Sequence, residues 1–175
     1  KKKAPNIPLD GAGSIAVEQG MPMAPAEVMI GSWRKNGGTQ MHESDIPLSL
    51  AVKYARYVDD RLFDRMGEIM SEDFTQQGPR FDARSRQEFI QSLSVLDAYS
   101  TTFHLLGNQY GEWNNDIYRG ETWCVASHIY EKDGVTRKLD LGIRYQDVIE
   151  NNGGIAKYIS RDLKVIWSQD LPCQG

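Results

Sequence analysis

The sequence predicts an α+β fold, with helices first and then a strongly curved, mostly antiparallel sheet. Three observations lead there. Apolar residues recur at helical spacing between residues 44 and 96. After Ser100 four long β-rich runs follow. Asn114-Asn115-Asp116, Lys132-Asp133-Gly134 and Asn151-Asn152-Gly153-Gly154 separate those runs in the manner of hairpin turns. The runs exceed ordinary strand length, so the sheet must bend. A sheet that curls around three helices makes a cone with an internal pocket.

Each element follows in order. Residues 1–43 are rich in Gly, Pro and Met and have no sustained periodicity. They read as an irregular arm, anchored by Trp33, that wraps the domain, a neighbouring subunit or the pocket mouth; the alternative is a partly disordered tail. The cone domain is expected over 44–175. Ser44 caps the first helix, Asp45 suits its N-terminal dipole and Pro47 its first turn. Leu48, Ala51, Val52, Ala55 and Val58 form its apolar stripe. A second helix is expected over 63–73 on Phe63, Met66, Ile69 and Met70. A short strand at 74–77 and a loop at 79–82 follow. A third helix over 85–96 carries Phe89, Ile90 and Leu93. The strands are expected at 101–112, 117–130, 135–149 and 155–169, with Gly107, Gly120 and Gly142 as bulge or bend points.

Bulk properties narrow the function. The chain has 175 residues and reads as one domain with a substantial core. A net charge of −4 gives no electrostatic case for nucleic acid. Cys124 and Cys173 fit no zinc spacing and read as free thiols of a cytoplasmic protein, with a single disulfide between them as the alternative. No apolar run approaches a membrane span, and the N-terminus lacks the apolar stretch of a signal peptide. No metal cluster, phosphate loop or nucleophile elbow is legible, so neither a metal nor another cofactor is expected.

The residues that carry chemistry are Tyr54, Asp59 and His104: a phenol and a carboxylate on the first helix, and an imidazole on the first long strand. A carboxylate that orients a histidine makes a proton-transfer base, and a tyrosine can donate to an oxygen that gains charge or leaves. Asp59 lies four residues after Ala55 and seven after Val52, so it is expected to point inward and Asp60 outward. Tyr54 sits about 140° around the helix from Asp59, which leaves open whether Tyr54 or Tyr57 faces the pocket. Strand parity aims His128 into the cone unless a bulge reverses it. Arg144 and Arg161 either bind a substrate carbonyl or carboxylate, or pair with Asp147 or Asp162. Phe103, Leu106, Trp123, Tyr145, Trp167 and Met66 are candidate wall residues.

Several motifs recur in family order. Tyr54-Ala55-Arg56-Tyr57-Val58-Asp59 is followed by Phe63-Asp64 and Glu72-Asp73-Phe74. Thr102-Phe103-His104-Leu105-Leu106-Gly107-Asn108 and Gly142-Ile143-Arg144-Tyr145-Gln146-Asp147 come next, then Arg161 and Trp167. The ordered set resembles the NTF2-like superfamily in its SnoaL-like branch, over residues 45 to about 170. Ile155-Ala156 departs from an aromatic pattern common there, and the arm lies outside the shared core.

The resemblance implies an NTF2-like cone and, by likeness to bile-acid 7α-dehydratases and scytalone dehydratases, a cofactor-independent lyase. Tyr54, Asp59 and His104 would be catalytic. Tyr57, Phe103, Trp123, His128, Arg144 and Tyr145 would bind a hydrophobic hydroxylated ring ketone of steroid, bile-acid or polyketide type. It also implies a homo-oligomer, with a trimer favoured. An isomerase or polyketide cyclase, and a non-catalytic binding or assembly module, are the alternatives on the same fold.

Overall fold

The computed structural model describes residues 42–79 and 81–174. The arm and its expected anchor Trp33 lie outside the described residues.

A 3-10 helix, Glu43–Asp45, leads into helix α1, Ile46–Asp59. Pro47 falls in the first turn as expected, but Ser44 belongs to the 3-10 turn. Asp45 takes the N-cap position without a side-chain capping bond. The buried face runs through Pro47, Leu50, Ala51, Tyr54, Ala55 and Val58, while Leu48 and Val52 are exposed. The true stripe keeps Ala51, Ala55 and Val58 of the expected one and turns from Leu48 and Val52 toward Pro47, Leu50 and Tyr54.

Residues 63–73 are not one helix. A 3-10 helix occupies Phe63–Glu68, and strand β1 takes Met70–Gly78. Phe63, Met66 and Ile69 repeat every three residues, which suits a 3-10 turn better than an α-helix. Phe81–Ala83 forms the short strand β2 where a loop was expected. Helix α2, Arg86–Ser92, begins at Ser85, whose hydroxyl accepts the Glu88 N–H at 3.1 Å. A 3-10 helix at Leu93–Ala98 completes the third helical region.

Strands β3 (Thr101–Asn114), β4 (Ile117–Lys132), β5 (Val135–Asn152) and β6 (Ile155–Pro172) follow the expected meander, each a few residues longer than predicted. The sheet order is β2-β1-β6-β5-β4-β3, with β1 and β6 parallel and every other pair antiparallel. Asp133-Gly134 and Gly153-Gly154 have positive φ throughout, as two-residue hairpin turns of the primed type require.

Gly107 lies in the β3 register shift between Leu106 and Gln109. Gly120 serves a different purpose from bending: a Cβ there would stand 2.3 Å from the Tyr118 hydroxyl, so its absence makes room for that buried ring. Two further shifts lie on β6. Ile159 and Ile166 are left without partners on β5, because Ile149 pairs with Tyr158 and Ile143 with Val165.

The inner face of the sheet and the helices enclose one core, which includes Tyr54, Met66, Phe74, Phe89, Tyr145 and Tyr158. Among the described residues no helix is long and apolar enough to cross a membrane. Cys124 and Cys173 are both free.

Candidate active site

Strand parity and the end of α1 together build the site. On β3, Thr102, His104 and Leu106 face inward; on β4 the even-numbered residues from Cys124 to His128 do so. His104 therefore pairs with Ala126 on the inner face. Asp59, the last residue of α1, meets it there. His104 Nδ1 lies 2.7 Å from Asp59 Oδ1, and the His104 backbone N–H donates to Asp59 Oδ2 at 2.8 Å. Both side chains are largely buried.

Burial by itself would raise the Asp59 carboxyl. The His104 side chain and backbone, with Thr102, more than offset this and hold it below its ordinary value. An ionised carboxylate only accepts hydrogen bonds. Nδ1 must then carry a proton, so that in the neutral imidazole the lone pair is on Nε2.

Arg61, a non-glycine residue at φ +58°, secures this corner. Its guanidinium donates to Val58 O at 2.8 Å, to Thr102 Oγ1 at 2.7 Å and to Leu96 O at 3.3 Å. These bonds tie the end of α1 to β3 and to the last 3-10 turn.

The His104 ring lines a cavity of about 740 Å³ between the helices and the inner face of the sheet. Most of its walls are apolar: Val58, Phe89, Leu96, Leu141, Ile143 and Val165 among them. Of the polar lining groups, Gln76 and Tyr145 lie beside Tyr54, whereas His128 sits further along β4, opposite Leu139. A few polar groups in an apolar enclosure are what a small-molecule site presents.

The Tyr54 ring stands edge-on to His104, with centroids 6.3 Å apart, and 5.7 Å from Tyr145. Burial raises the Tyr54 hydroxyl, against opposition from Arg161, Gln76 and Tyr145, and Tyr145 is likewise raised by burial. Both phenols stay protonated at neutral pH and can donate. Burial lowers His128 and keeps it neutral. Its ring packs 4.8 Å from that of Tyr99.

Under this region lies Arg161, fully buried beneath Tyr54 and Tyr145 at 4.2 and 4.1 Å from the ring centroids. Its Nε is 3.3 Å from Asp147 Oδ1, without the alignment of a hydrogen bond, and its Nη1 donates to Tyr158 at 3.0 Å. Of the two fates open to Arg161, pairing with Asp147 is the one observed. Cys124 is buried and burial pushes its thiol up to about 12, so it is no nucleophile.

Of the expected substrate-binding residues, Tyr57, Phe103, Trp123 and Arg144 do not line the cavity, and of the further expected walls neither do Leu106, Met66 and Trp167. Tyr57 is buried but donates to Glu68 Oε2 at 2.7 Å, with Arg65 over its ring. This answers the Tyr54-or-Tyr57 question in favour of Tyr54. Phe103, Trp123 and Arg144 lie on the outer face of the sheet, each adjacent in sequence to an inward residue. Phe103 is exposed; Arg144 stacks on Trp123 at 4.2 Å, and both face Glu121. Tyr145 and His128 are cavity residues, and Asp60 points outward to pair with Arg56.

Sequence reasoning missed Gln76, Phe89, Tyr99, Leu163, Val165 and Ser168 as lining residues. For Gln76 a signal existed, since Phe74 and Gln76 alternate inward on one strand. A second recess at the β3–β4 hairpin, bordered by Tyr110, Asn115 and Arg119, contains none of these groups. Among the described residues no three His, Cys, Asp or Glu side chains gather as metal ligands do.

Solved structures of similar shape share this architecture at low identity. One is a provisionally assigned scytalone dehydratase from Novosphingobium aromaticivorans, with TM-score 0.66 and 18% identity over 75% of this chain and 89% of that one. A hexachlorocyclohexane dehydrochlorinase, LinA type 2, has TM-score 0.64 and 15% identity over 74% and 93%. The beta subunit of a provisionally assigned aromatic-ring-hydroxylating dioxygenase from N. aromaticivorans has TM-score 0.55 and 20% identity over 70% and 87%. At such identities these likenesses concern the fold. No curated protein matches the chain. The SnoaL-like domain family matches residues 48–160, well over half of the sequence, and the chain belongs to that family.

Proposed function

We propose that the protein is a cofactor-independent dehydratase, acting in the cytoplasm on a hydrophobic hydroxylated ring ketone of steroid, bile-acid or polyketide type. The observation that carries this reading is the Asp59–His104 pair at 2.7 Å, with the imidazole on the wall of a mainly apolar cavity.

The step balances within the chain's own groups. His104 Nε2 takes a proton from the carbon next to a carbonyl or enone. The freed electron pair forms the new double bond as the β-carbon–oxygen bond breaks. The leaving oxygen takes that proton back from the imidazolium and departs as water, which restores the neutral base, while Tyr54 donates a hydrogen bond to it or to the carbonyl oxygen. Asp59 stabilises the imidazolium that forms, and the apolar walls strengthen these interactions by excluding water.

The test is turnover of a panel of hydroxylated steroid and polyketide ketones by wild type and His104→Ala, with mass spectrometry for loss of water. A positioned base is worth about 10²–10⁴-fold, so water loss should fall by at least a hundredfold in a mutant that still folds. A rearranged product of unchanged mass would move the reading to an isomerase or cyclase. Ligand binding without turnover would favour the non-catalytic module.

The proposal includes a homotrimer. The outer face of the sheet exposes Phe103, Leu105, Trp167 and Leu171, which suits self-association. Sedimentation that shows only monomer at micromolar concentration would overturn this part.

A further inference from the structure

The polar region of the cavity holds a donor with no aligned partner among the described residues. Gln76 is 1% exposed and lines the cavity, and among the described residues its Nε2 meets full hydrogen-bond geometry with none, the nearby Tyr54 hydroxyl included. A buried donor left unpaired is costly, and such groups are rare enough to call for an explanation. Strand β1 gives Gln76 no freedom to leave: it pairs with Ala83 on β2 and faces inward with Phe74. The Tyr54 hydroxyl lies beside it.

The charges around this donor are already neutralised. Arg161, the cation beneath the region, is fully buried behind Tyr54 and Tyr145, pairs with Asp147 at 3.3 Å and is not a cavity-lining residue. His104 pairs with Asp59. What the cavity offers a ligand here is an amide N–H and phenol O–H groups. A neutral carbonyl oxygen accepts from such donors without the loss of charge hydration that a carboxylate would suffer.

Resting on the reading of this cavity as the substrate site, we propose that Gln76, together with Tyr54, binds the substrate's carbonyl oxygen and selects a neutral ketone over a carboxylate. Gln76 is thus a specificity-determining residue, and the substrate class narrows to uncharged ketones.

Equilibrium binding tests this without any need for turnover. Three probes of like shape are 2-acetylnaphthalene, 2-isopropylnaphthalene and 2-naphthoate, titrated against wild type and Gln76→Met. The wild type should bind the ketone at least tenfold tighter than either of the others. Gln76→Met, which preserves volume and removes the amide, should bring ketone and hydrocarbon within threefold while leaving hydrocarbon affinity unchanged.

A measurement on the wild type covers the case in which the variant does not fold. The Gln76 side-chain amide protons should move downfield in the nuclear magnetic resonance spectrum on adding the ketone, and not on adding the hydrocarbon. Tightest wild-type binding of 2-naphthoate, ketone preference intact in Gln76→Met, or amide resonances indifferent to the ketone would each overturn the role of Gln76 alone. Failure of all three probes to bind would overturn the cavity reading and this inference together.

Discussion

Asp59→Asn is the sharpest probe of the catalytic proposal, because it changes protonation with almost no change in shape. Both Asp59 oxygens accept from His104: Oδ1 from the ring and Oδ2 from the backbone N–H at 2.8 Å. An asparagine has one acceptor oxygen and one NH₂ donor. The backbone N–H cannot reverse its role, so it claims the amide oxygen. The NH₂ then faces Nδ1, which must become an acceptor, and the ring proton moves to Nε2. The nitrogen on which the proposed base depends loses its lone pair. A base of this kind contributes about 10²–10⁴ to rate, so kcat/KM should fall by about that factor.

Hydrogen bonds to charged groups contribute about 1.5–3 kcal/mol each. With one of two retained, Asp59→Asn should lose a similar amount in urea unfolding and still be folded. Asp59→Ala leaves either tautomer free to form. It should therefore be less stable than Asp59→Asn and yet no slower. The assay is water loss followed by mass spectrometry, paired with ¹⁵N shifts of the His104 ring to read the tautomer. Turnover of Asp59→Asn within threefold of wild type, or a ring still protonated at Nδ1, would refute the reasoning.

Three further outcomes are expected. The folded carboxyl of Asp59 titrates below its unfolded value, so its stabilisation is complete above about pH 4 and is lost as pH falls through the lower folded value; the urea midpoint of wild type should therefore drop more steeply below pH 4 than that of Asp59→Asn, and parallel curves would contradict this. Asp147→Ala leaves fully buried Arg161 without its counter-charge and should cost about 3–5 kcal/mol by urea unfolding, whereas a loss below 1 kcal/mol would mean that the three tyrosine rings alone hold the guanidinium. Trp123→Ala and Arg144→Ala act on the outer face, so each should keep turnover within threefold of wild type; a hundredfold loss in either would place the reaction on the wrong side of the sheet.

Much of the architecture was legible because turn chemistry is local. Asp133-Gly134 and Gly153-Gly154 demand positive φ, and the strands begin and end around them. The inward aim of Asp59 was also legible, though for a reason that does not hold: Val52, used to define the stripe, is exposed. Asp59 reaches the site because α1 ends there, where His104 supplies two donors. The errors over Phe103, Trp123 and Arg144 were avoidable. Each adjoins an inward residue, His104, Cys124 or Tyr145, and neighbours on a regular strand oppose each other. Motif likeness groups residues that are adjacent in sequence, whereas a sheet separates them.

What no pattern in the sequence announced is the first of the two bulges on β6, at Ile159. Tyr158 and Arg161 are three apart, and on an unbroken strand they would face opposite sides. Ile159, unpaired between the Ile149–Tyr158 and Val148–Ser160 pairs, resets the parity and turns both inward. Ile166 does the same again, so that Val165 and Ser168 both line the cavity. The first bulge has no glycine to mark it, whereas the second falls opposite Gly142, one of the expected bulge points. Their consequence reaches the chemistry, since the first one carries a guanidinium beneath the rings of Tyr54 and Tyr145, where Asp147 awaits it. Without that shift Arg161 would stand on the outer face, and Asp147 would lose the counter-charge that now offsets part of the effect of its burial. The neutral, donor-rich region beside His104 is thus a product of one inserted residue on the last strand, and the selectivity proposed for Gln76 depends on it.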